Sequence, residues 1–516
     1  MVETPSRPKC LLVFPTPIAT IPTGLTYVAK RFAANGFDVK TYVNSFGHYR
    51  DHQAILDEIV IPFAPAVVGV SYGTFNIPEV YRLQQACRQA GYPVLAGGPH
   101  PTILPEEALG HGAQYVIRGE GELAIDDFCR FFFQGERPED LAGVRSLSYV
   151  DGEGRVHHNP KARRIMNTTE LGDMDTASFD LDPFRTADGN IKGFNVISAG
   201  RGCPFRCGYC SHSHWYALGR RDMDAVIEEM VRKHERYGIT NFWMSDETFT
   251  VHKDRLLYFC DRLRKERLPF TWMAGTRVDC VDEEMLVAMR DSGMLQITYG
   301  VESAAEETLR KINKGYCAKQ AYDTVETTGR LGIRMYINLM TGFPWETPEH
   351  VNDDIRFIKT VDRWVNCFQL YGAVIPYPDT PIYEDYHEQF GFTQWWLQEK
   401  YQQAGMVIYQ NVQNPYAVSS YFQRNLYDDT YVARDYFFRF SPEYKRAVRR
   451  MGRLIGWKAI QAQNAFLPKQ LGLYALGLLS QGCETLFPGL EQATLGKLFR
   501  KNTLHERRLT GLFLKK

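Results

Sequence analysis

Short apolar runs alternate with amphipathic stretches over the first 130 residues. KCLLVF (9–14) is too short for a helix and reads as a buried strand. A helical pattern follows over about 24–35 and stops at Gly36. DVKTYV (38–43), AVVGVS (66–71), YPVLAGG (92–98) and QYVIRGEGE (114–122) read as four more strands. Helices are expected over 78–90 and, after the fifth strand, as far as Phe133. Alternation of this kind predicts a doubly wound parallel sheet, Rossmann-like in its layers.

The stretch 135–190 breaks the pattern. SLSYVDGEGRVHHNP (146–160) reads as a hairpin turning at 151–154. TELGDMDTASFDLDPF (169–184) is acidic with little periodicity and reads as a linker wrapping between domains. From Phe194 the alternation returns: FNVISA, NFWMSD, FTWMAG, QITYGVE, RMYINLM and CFQLYGA are six strands, with helices such as 224–237 and 282–292 between them. Six such units predict a partial (β/α)6 barrel, whose ligand sites lie at the carboxyl ends of its strands. Beyond 390 the chain turns helical and aromatic, then basic. The expected division is 1–135, a linker with hairpin at 136–190, the barrel at 191–390, and a helical C-terminal region at 391–516.

Composition changes this picture in three ways. Sixty Lys and Arg balance sixty Asp and Glu, so no global charge pulls the chain toward nucleic acid. Eleven cysteines, an odd number, argue for a reducing compartment rather than a disulfide framework. No apolar run reaches the ~18 residues of a spanning helix; LGLYALGLLS (471–480) comes nearest, and no signal peptide is visible. The expectation is a soluble, cytoplasmic chain. From Arg439 onward, 15 Lys and Arg face four Asp and Glu. Within that stretch Val448, Met451, Ile455, Ala459 and Ala462 share one helix face, beside Lys445, Arg446, Arg449, Arg450 and Arg453. Such a helix either packs on the barrel with a solvated side or makes peripheral contact with an anionic membrane.

The densest chemistry is ISAGRGCPFRCGYCSHSH (197–214), with Cys203, Cys207 and Cys210. Thiolates select soft metals, chiefly zinc or an iron–sulfur cluster. Structural zinc closes with four ligands, and His212 or His214 could supply the fourth. A 4Fe-4S cluster is usually held by four cysteines. Held by three, it keeps one iron open to a substrate. The segment follows the first strand of the second array, at its carboxyl end.

CxxxCxxC in this setting resembles the signature of the radical S-adenosylmethionine (SAM) superfamily. Tyr209 fits the aromatic residue often found before the last cysteine. The resemblance implies that the open iron binds SAM, and that one electron cleaves it to a 5′-deoxyadenosyl radical. It also implies SAM contacts further along. Asp246 and Glu247 in MSDETF would hold the amine, although the family's form resembles D-D-x-F and Glu247 departs from it. Arg277 in GTRVD would pair with the carboxylate, and Glu302 or Ser303 in GVES with the ribose. Gly342 begins GFPWET, which resembles G-x-P-G-E-T with Trp345 in place of a glycine.

No G-x-G-x-x-G follows the first strand, so the dinucleotide fingerprint is missing. Glycine-rich turns instead end the third, fourth and fifth strands: SYGT, GGPHPT and RGEGE. This set resembles the cobalamin-binding domain fused to many radical SAM enzymes, and the likeness covers about 9–390. It implies cobalamin at Ser71, Gly97, Gly98, Pro99, His100, Gly119, Glu120 and Gly121. The D-x-H-x-x-G motif for a lower cobalt ligand is missing; His48, His52, His100 and His111 do not form it. The implied function is cobalamin-dependent methyl transfer to an unactivated carbon. The alternative is a non-methylating cyclisation or rearrangement, as in anaerobic porphyrin cyclases; a third is a zinc- or cobalamin-binding protein without catalysis. The implied partners are a small-molecule substrate and an electron donor such as flavodoxin or ferredoxin. The substrate is large and apolar if the aromatic run 416–440 lines its pocket.

Overall fold

A computed structural model describes residues 7–18, 20–45, 49–133, 138–185, 191, 193–211, 217–398 and 441–462. The aromatic run 416–440, His48, His212, His214 and the chain beyond 462 lie outside the described residues.

The first sheet holds β1 (Lys9–Ile18), β2 (Asp38–Ser45), β3 (Val67–Ser71), β4 (Val94–Gly97), β5 (Tyr115–Ile117), β6 (Leu147–Val150) and β7 (Val156–His158). Their order is β2-β1-β3-β4-β5-β6-β7. The first five are parallel. Both faces of this part are covered, which is why its strands are continuous apolar runs. Leu11 and Val13 pack with Val80, Tyr81 and Leu83 of the Ile77–Gln89 helix. Cys10 and Leu12 pack on the other side with Leu25 and Phe32 of the Thr23–Ala34 helix and Phe128 of the Glu122–Phe133 helix.

The hairpin expected between the domains instead extends this sheet. β6 and β7 pair with each other, and β6 pairs antiparallel with β5. A three-residue β5 would otherwise expose an unpaired backbone edge. Leu147 and Tyr149 join the buried cluster beneath it.

The second sheet contains β8 (Val196–Ile197), β11 (Asn241–Met244), β12 (Thr271–Thr276), β13 (Met294–Glu302), β14 (Arg334–Thr341) and β15 (Cys367–Ala373). A small antiparallel ribbon, β9 (Gly200–Arg201) with β10 (Gly219–Arg220), lies between its first two strands in sequence. The six strands are parallel, open-ended and in strict chain order, as a partial barrel requires. Burial alternates along them: in β12, Trp272, Ala274 and Thr276 are buried while Met273 and Gly275 between them are half-buried. β8 is shorter than FNVISA suggests, because the chain turns away at Ala199, whose N–H donates to the Asp246 carboxylate at 2.9 Å.

The Pro442–Ala462 helix packs on the Pro348–Val361 helix and on β15. Tyr444, Val448, Met451 and Ile455 are buried there. Of the two alternatives for this helix, packing on the barrel is the one the structure shows: Val448, Met451 and Ile455 of its apolar stripe are covered by protein. Among the described residues, no helix is long and apolar enough to cross a membrane.

Candidate functional site

The carboxyl ends of the two sheets border one cavity of about 490 Å³. Ser71, Gly97, Gly98, Pro99, Gly119, Glu120 and Gly121 line it from the first sheet. Ser198, Gly200, Arg201, Gly202, Ser245 and Glu247 line it from the second. The turn into the first helix, Pro22 to Leu25, and Phe14 of β1 also contribute. Sequence reasoning missed these two; the lone Gly24 in IPTG was the available signal.

Much of the cavity is space that side chains have been kept out of. A Cβ at Gly24, Gly97 or Gly119 would meet no atom within 4 Å. Gly98 is glycine for the opposite reason. Its φ is +99°, and a Cβ there would lie 2.7 Å from the Tyr72 carbonyl oxygen. Only glycine lets the turns after β3 and β4 approach this closely. The polar wall is built of tied ion pairs: Glu120 with Arg164 at 3.3 Å, and Glu122 with Arg201 at 2.6 Å. Arg201 belongs to the cysteine loop, so the second pair joins the two halves.

His100 is corrected. It does not line the cavity; it is fully buried on the other side of the sheet. The helical turn that starts at Pro99 aims it at the Ile77–Gln89 helix. There it lies 3.2 Å from each of Tyr81 Oη, Glu107 Oε1 and Thr74 Oγ1. Burial lowers its pKa below the usual imidazole value. His52 pairs with Glu79, and His111 stacks on Tyr81, so neither reaches the cavity.

The cysteine loop starts at a backbone crossing. A Cβ on Gly200 would lie 2.8 Å from the Gly219 carbonyl oxygen of the neighbouring strand. Further along, Gly208 N–H donates to Ile312 O at 2.9 Å, and Gly208 O accepts from Ile382 N–H at 3.2 Å. Asn313 Nδ2 holds Arg206 O at 2.9 Å. Cys207 is buried; Cys203 and Cys210 are half-buried, and none of the three is in a disulfide. Burial raises the Cys207 thiol pKa, while Lys314 and Arg277 oppose that rise. Among the described residues no three His, Cys, Asp or Glu side chains are grouped as ligands of one metal ion. The fit to a cluster rests on donor chemistry: three soft thiols on one pinned loop, beside two cations that favour the thiolate.

The structure brings together only part of the expected SAM set. Tyr209 Oη donates to Glu302 Oε1 at 3.1 Å, and Lys314 Nζ lies 3.4 Å from the same oxygen. Glu302 sits at φ +66°, where the β13–β14 register shifts. That irregularity turns its carboxylate toward the cysteine loop. Lys314, in KINKGY, was missed because it comes from a turn after the strand, far from any predicted strand end.

Three expectations are corrected. Ser303 is fully buried and donates to Asp354 Oδ1 at 2.9 Å, so its hydroxyl ties β13 to the next helix instead of facing a ribose. Asp246 points back at Ala199; its burial outweighs that hydrogen bond and pushes its carboxyl up to about 7. Of the adjacent pair it is Glu247 that lines the cavity. Arg277 is already held two ways by Asp279, at 2.9 and 2.8 Å. Gly342 donates its N–H to Glu346 Oε2 at 2.6 Å and lies 3.1 Å from Tyr444 Oη. Trp345, which stands in for the glycine, stacks on Phe343 and donates its Nε1–H to Thr308 Oγ1 at 3.3 Å.

Two family models match: "Radical SAM superfamily" over residues 197–358 and "B12 binding domain" over 14–128. A relative described as an uncharacterized methyltransferase of Pyrococcus horikoshii is 31% identical over 391 residues, covering 73% of this chain and 82% of that one. The anaerobic magnesium-protoporphyrin IX monomethyl ester cyclase of Rubrivivax gelatinosus is 23% identical, covering 70% of this chain and 66% of its own. Among solved structures, the radical SAM methyltransferase TsrM of Kitasatospora setae, with cobalamin and a 4Fe-4S cluster bound, has a TM-score of 0.60. Its identity is 19%, covering 75% of this chain and 76% of that one, and the likeness is one of fold. Domain by domain and along most of its length, this chain belongs to the radical SAM superfamily, in the form that carries a B12-binding domain and works with a 4Fe-4S cluster, SAM and cobalamin.

Proposed function

We propose that this enzyme transfers a methyl group to an unactivated carbon of a small molecule. The observation that carries the reading is the shared cavity, where the glycine-rich turns of the first sheet face Gly200–Gly202, which lead into the cysteine loop, and Glu247 of the second. When bound, the cluster and SAM supply a 5′-deoxyadenosyl radical, and cobalamin supplies the methyl group.

In this reading Cys203, Cys207 and Cys210 hold the cluster. Glu247, exposed at the end of β11, meets the SAM amine. Glu302 keeps one oxygen on Tyr209 and Lys314 and turns the other to the ribose. Gly342 sits where the β14 turn would bring backbone to the adenine. Ser71, Gly97, Gly98, Pro99, Gly119, Glu120 and Gly121 form the cobalamin edge, which takes a large flat ligand because its side chains are small or missing. The Arg201–Glu122 pair ties that edge to the start of the cysteine loop.

The test is anaerobic. The reconstituted enzyme is given cobalamin, a reductant, SAM and host extract as substrate source, and two products are quantified together. Methyl transfer predicts sustained 5′-deoxyadenosine and S-adenosylhomocysteine over several turnovers. Sustained 5′-deoxyadenosine without S-adenosylhomocysteine overturns methyl transfer and favours a ring-closing or rearranging reaction, as the cyclase relative suggests.

A further inference from the structure

Arg277 is committed to the cysteine loop before any ligand arrives. Its side chain is 6% exposed. Nε and Nη2 donate to the two Asp279 oxygens, at 2.9 and 2.8 Å, in a two-point clasp. Nη2 also donates to the Lys314 carbonyl oxygen. Nη1 donates to Cys207 Sγ at 3.5 Å. The guanidinium carbon stands 3.7 Å from the centroid of the Phe205 ring and 5.4 Å from that of Tyr316. The group is thus fixed in position by a carboxylate at one edge and by stacking on its face.

Two consequences follow from this geometry. A guanidinium clasps a carboxylate through two adjacent N–H groups, and Asp279 already occupies that edge. The nitrogen left facing the loop points at a thiol. An N–H donor to a ligand sulfur, carrying positive charge, stabilises the more negative, reduced form of an iron–sulfur cluster over the oxidised form. Lys314, 3% exposed and held by Gly300 O at 2.9 Å, sets a second buried cation near the same thiol.

We infer that Arg277, held in place by Asp279, is a positioning residue for the cluster that raises its reduction potential through Cys207, and is not the group that clasps the SAM carboxylate. The inference rests on the reading that the three cysteines hold a cluster. It is independent of whether a methyl group moves.

The experiment uses the full chain, reconstituted anaerobically, without substrate. The cluster's midpoint potential is read by redox titration with electron paramagnetic resonance in the unaltered enzyme, Arg277→Gln and Arg277→Lys. The SAM dissociation constant is measured on the oxidised cluster by equilibrium dialysis. Iron and sulfide content show that each variant carries its cluster. Arg277→Gln is expected to shift the potential to more negative values, with Arg277→Lys shifting less. SAM affinity is expected to stay within about threefold, a change of well under 1.4 kcal/mol. An unchanged potential in Arg277→Gln overturns the inference. So does a SAM affinity weakened by about thirtyfold or more, roughly 2 kcal/mol, whatever the potential does. If Arg277→Gln assembles no cluster, Arg277→Lys decides: it keeps the charge and loses the fork, so a negative shift supports the inference and an unchanged potential overturns it. Failure of methyl transfer would leave these potentials untouched. Lack of any iron–sulfur signal in the unaltered enzyme would instead sink the cluster reading itself.

Discussion

The two sheets obey one topological rule and build opposite kinds of site. The first five strands of one and all six of the other are parallel, and the first sheet's carboxyl ends share a cavity with those of β8 and β11. The first sheet contributes room. Gly24, Gly97 and Gly119 leave open space where side chains would stand, and His100 is buried behind the sheet. The second contributes charge held in advance. Arg277 is clasped by Asp279, Lys314 by Glu302, and both flank Cys207. A binding edge for a large flat ligand is made by omission, whereas a site for cleaving a charged cosubstrate is made by buried, pre-paired ions.

The largest effect separates the halves outright. Cys207→Ser should abolish iron and sulfide incorporation and 5′-deoxyadenosine formation. Cobalamin binding, followed by its visible spectrum, should persist. Loss of both together would mean that the halves are not separable sites.

Buried ionisation in the second half should cost stability in a defined pH window. Burial pushes the Glu346 carboxyl from 4.5 up to about 7, although Gly342 N–H and Tyr444 Oη both donate to it. Below 4.5 the group is protonated in folded and unfolded chains alike. Between 4.5 and 7 the unfolded chain releases the proton while the folded one keeps it, so stability falls as pH rises. The loss is about 3 kcal/mol and is complete above 7. Thermal midpoints of Glu346→Gln should therefore lose that component of the decline between pH 5 and 7. A variant whose midpoints track the unaltered enzyme at every pH would refute it.

Filling the first half should hurt binding without touching the cluster. Gly97→Leu puts a side chain into open cavity space, and overfilling costs roughly 1–3 kcal/mol, or about five- to 150-fold in cobalamin affinity. Iron content should not change. Unchanged cobalamin affinity would place the ligand elsewhere. The smallest effect sharpens the correction at Ser303. Ser303→Ala removes a donor to buried Asp354 and should cost about 1–3 kcal/mol of stability. SAM affinity should stay within about twofold, far below 1.4 kcal/mol. A large loss of SAM affinity would restore Ser303 to the ribose.

What the sequence showed depended on whether a feature was local. The strands were legible because apolar runs between helices have one stable arrangement, and the cysteine spacing because all three ligands lie on one loop. The glycine turns were legible for the same reason. Direction was not. His100 follows GGP directly, yet the turn at Pro99 carries it through to the far face. Asp246 and Glu247 are neighbours, and only the bend at Ala199 decides which of them reaches the cavity. Lys314 and Asp279 could not be found by motif, because each matters through a partner that only the fold brings near. The hairpin at 147–158 was legible as a hairpin, but its place in the first sheet was not, because its pairing partner, β5, is thirty residues back.

In the proposed arrangement one cavity serves both halves, with the cobalamin edge opposite Gly200–Gly202 at the start of the cysteine loop. Electron paramagnetic resonance of the enzyme holding both a reduced cluster and cob(II)alamin tests this directly, since both carry unpaired electrons. The expected spectrum shows mutual spin–spin broadening that is lost from the Gly97→Leu variant. A spectrum equal to the simple sum of the two isolated centres would contradict it.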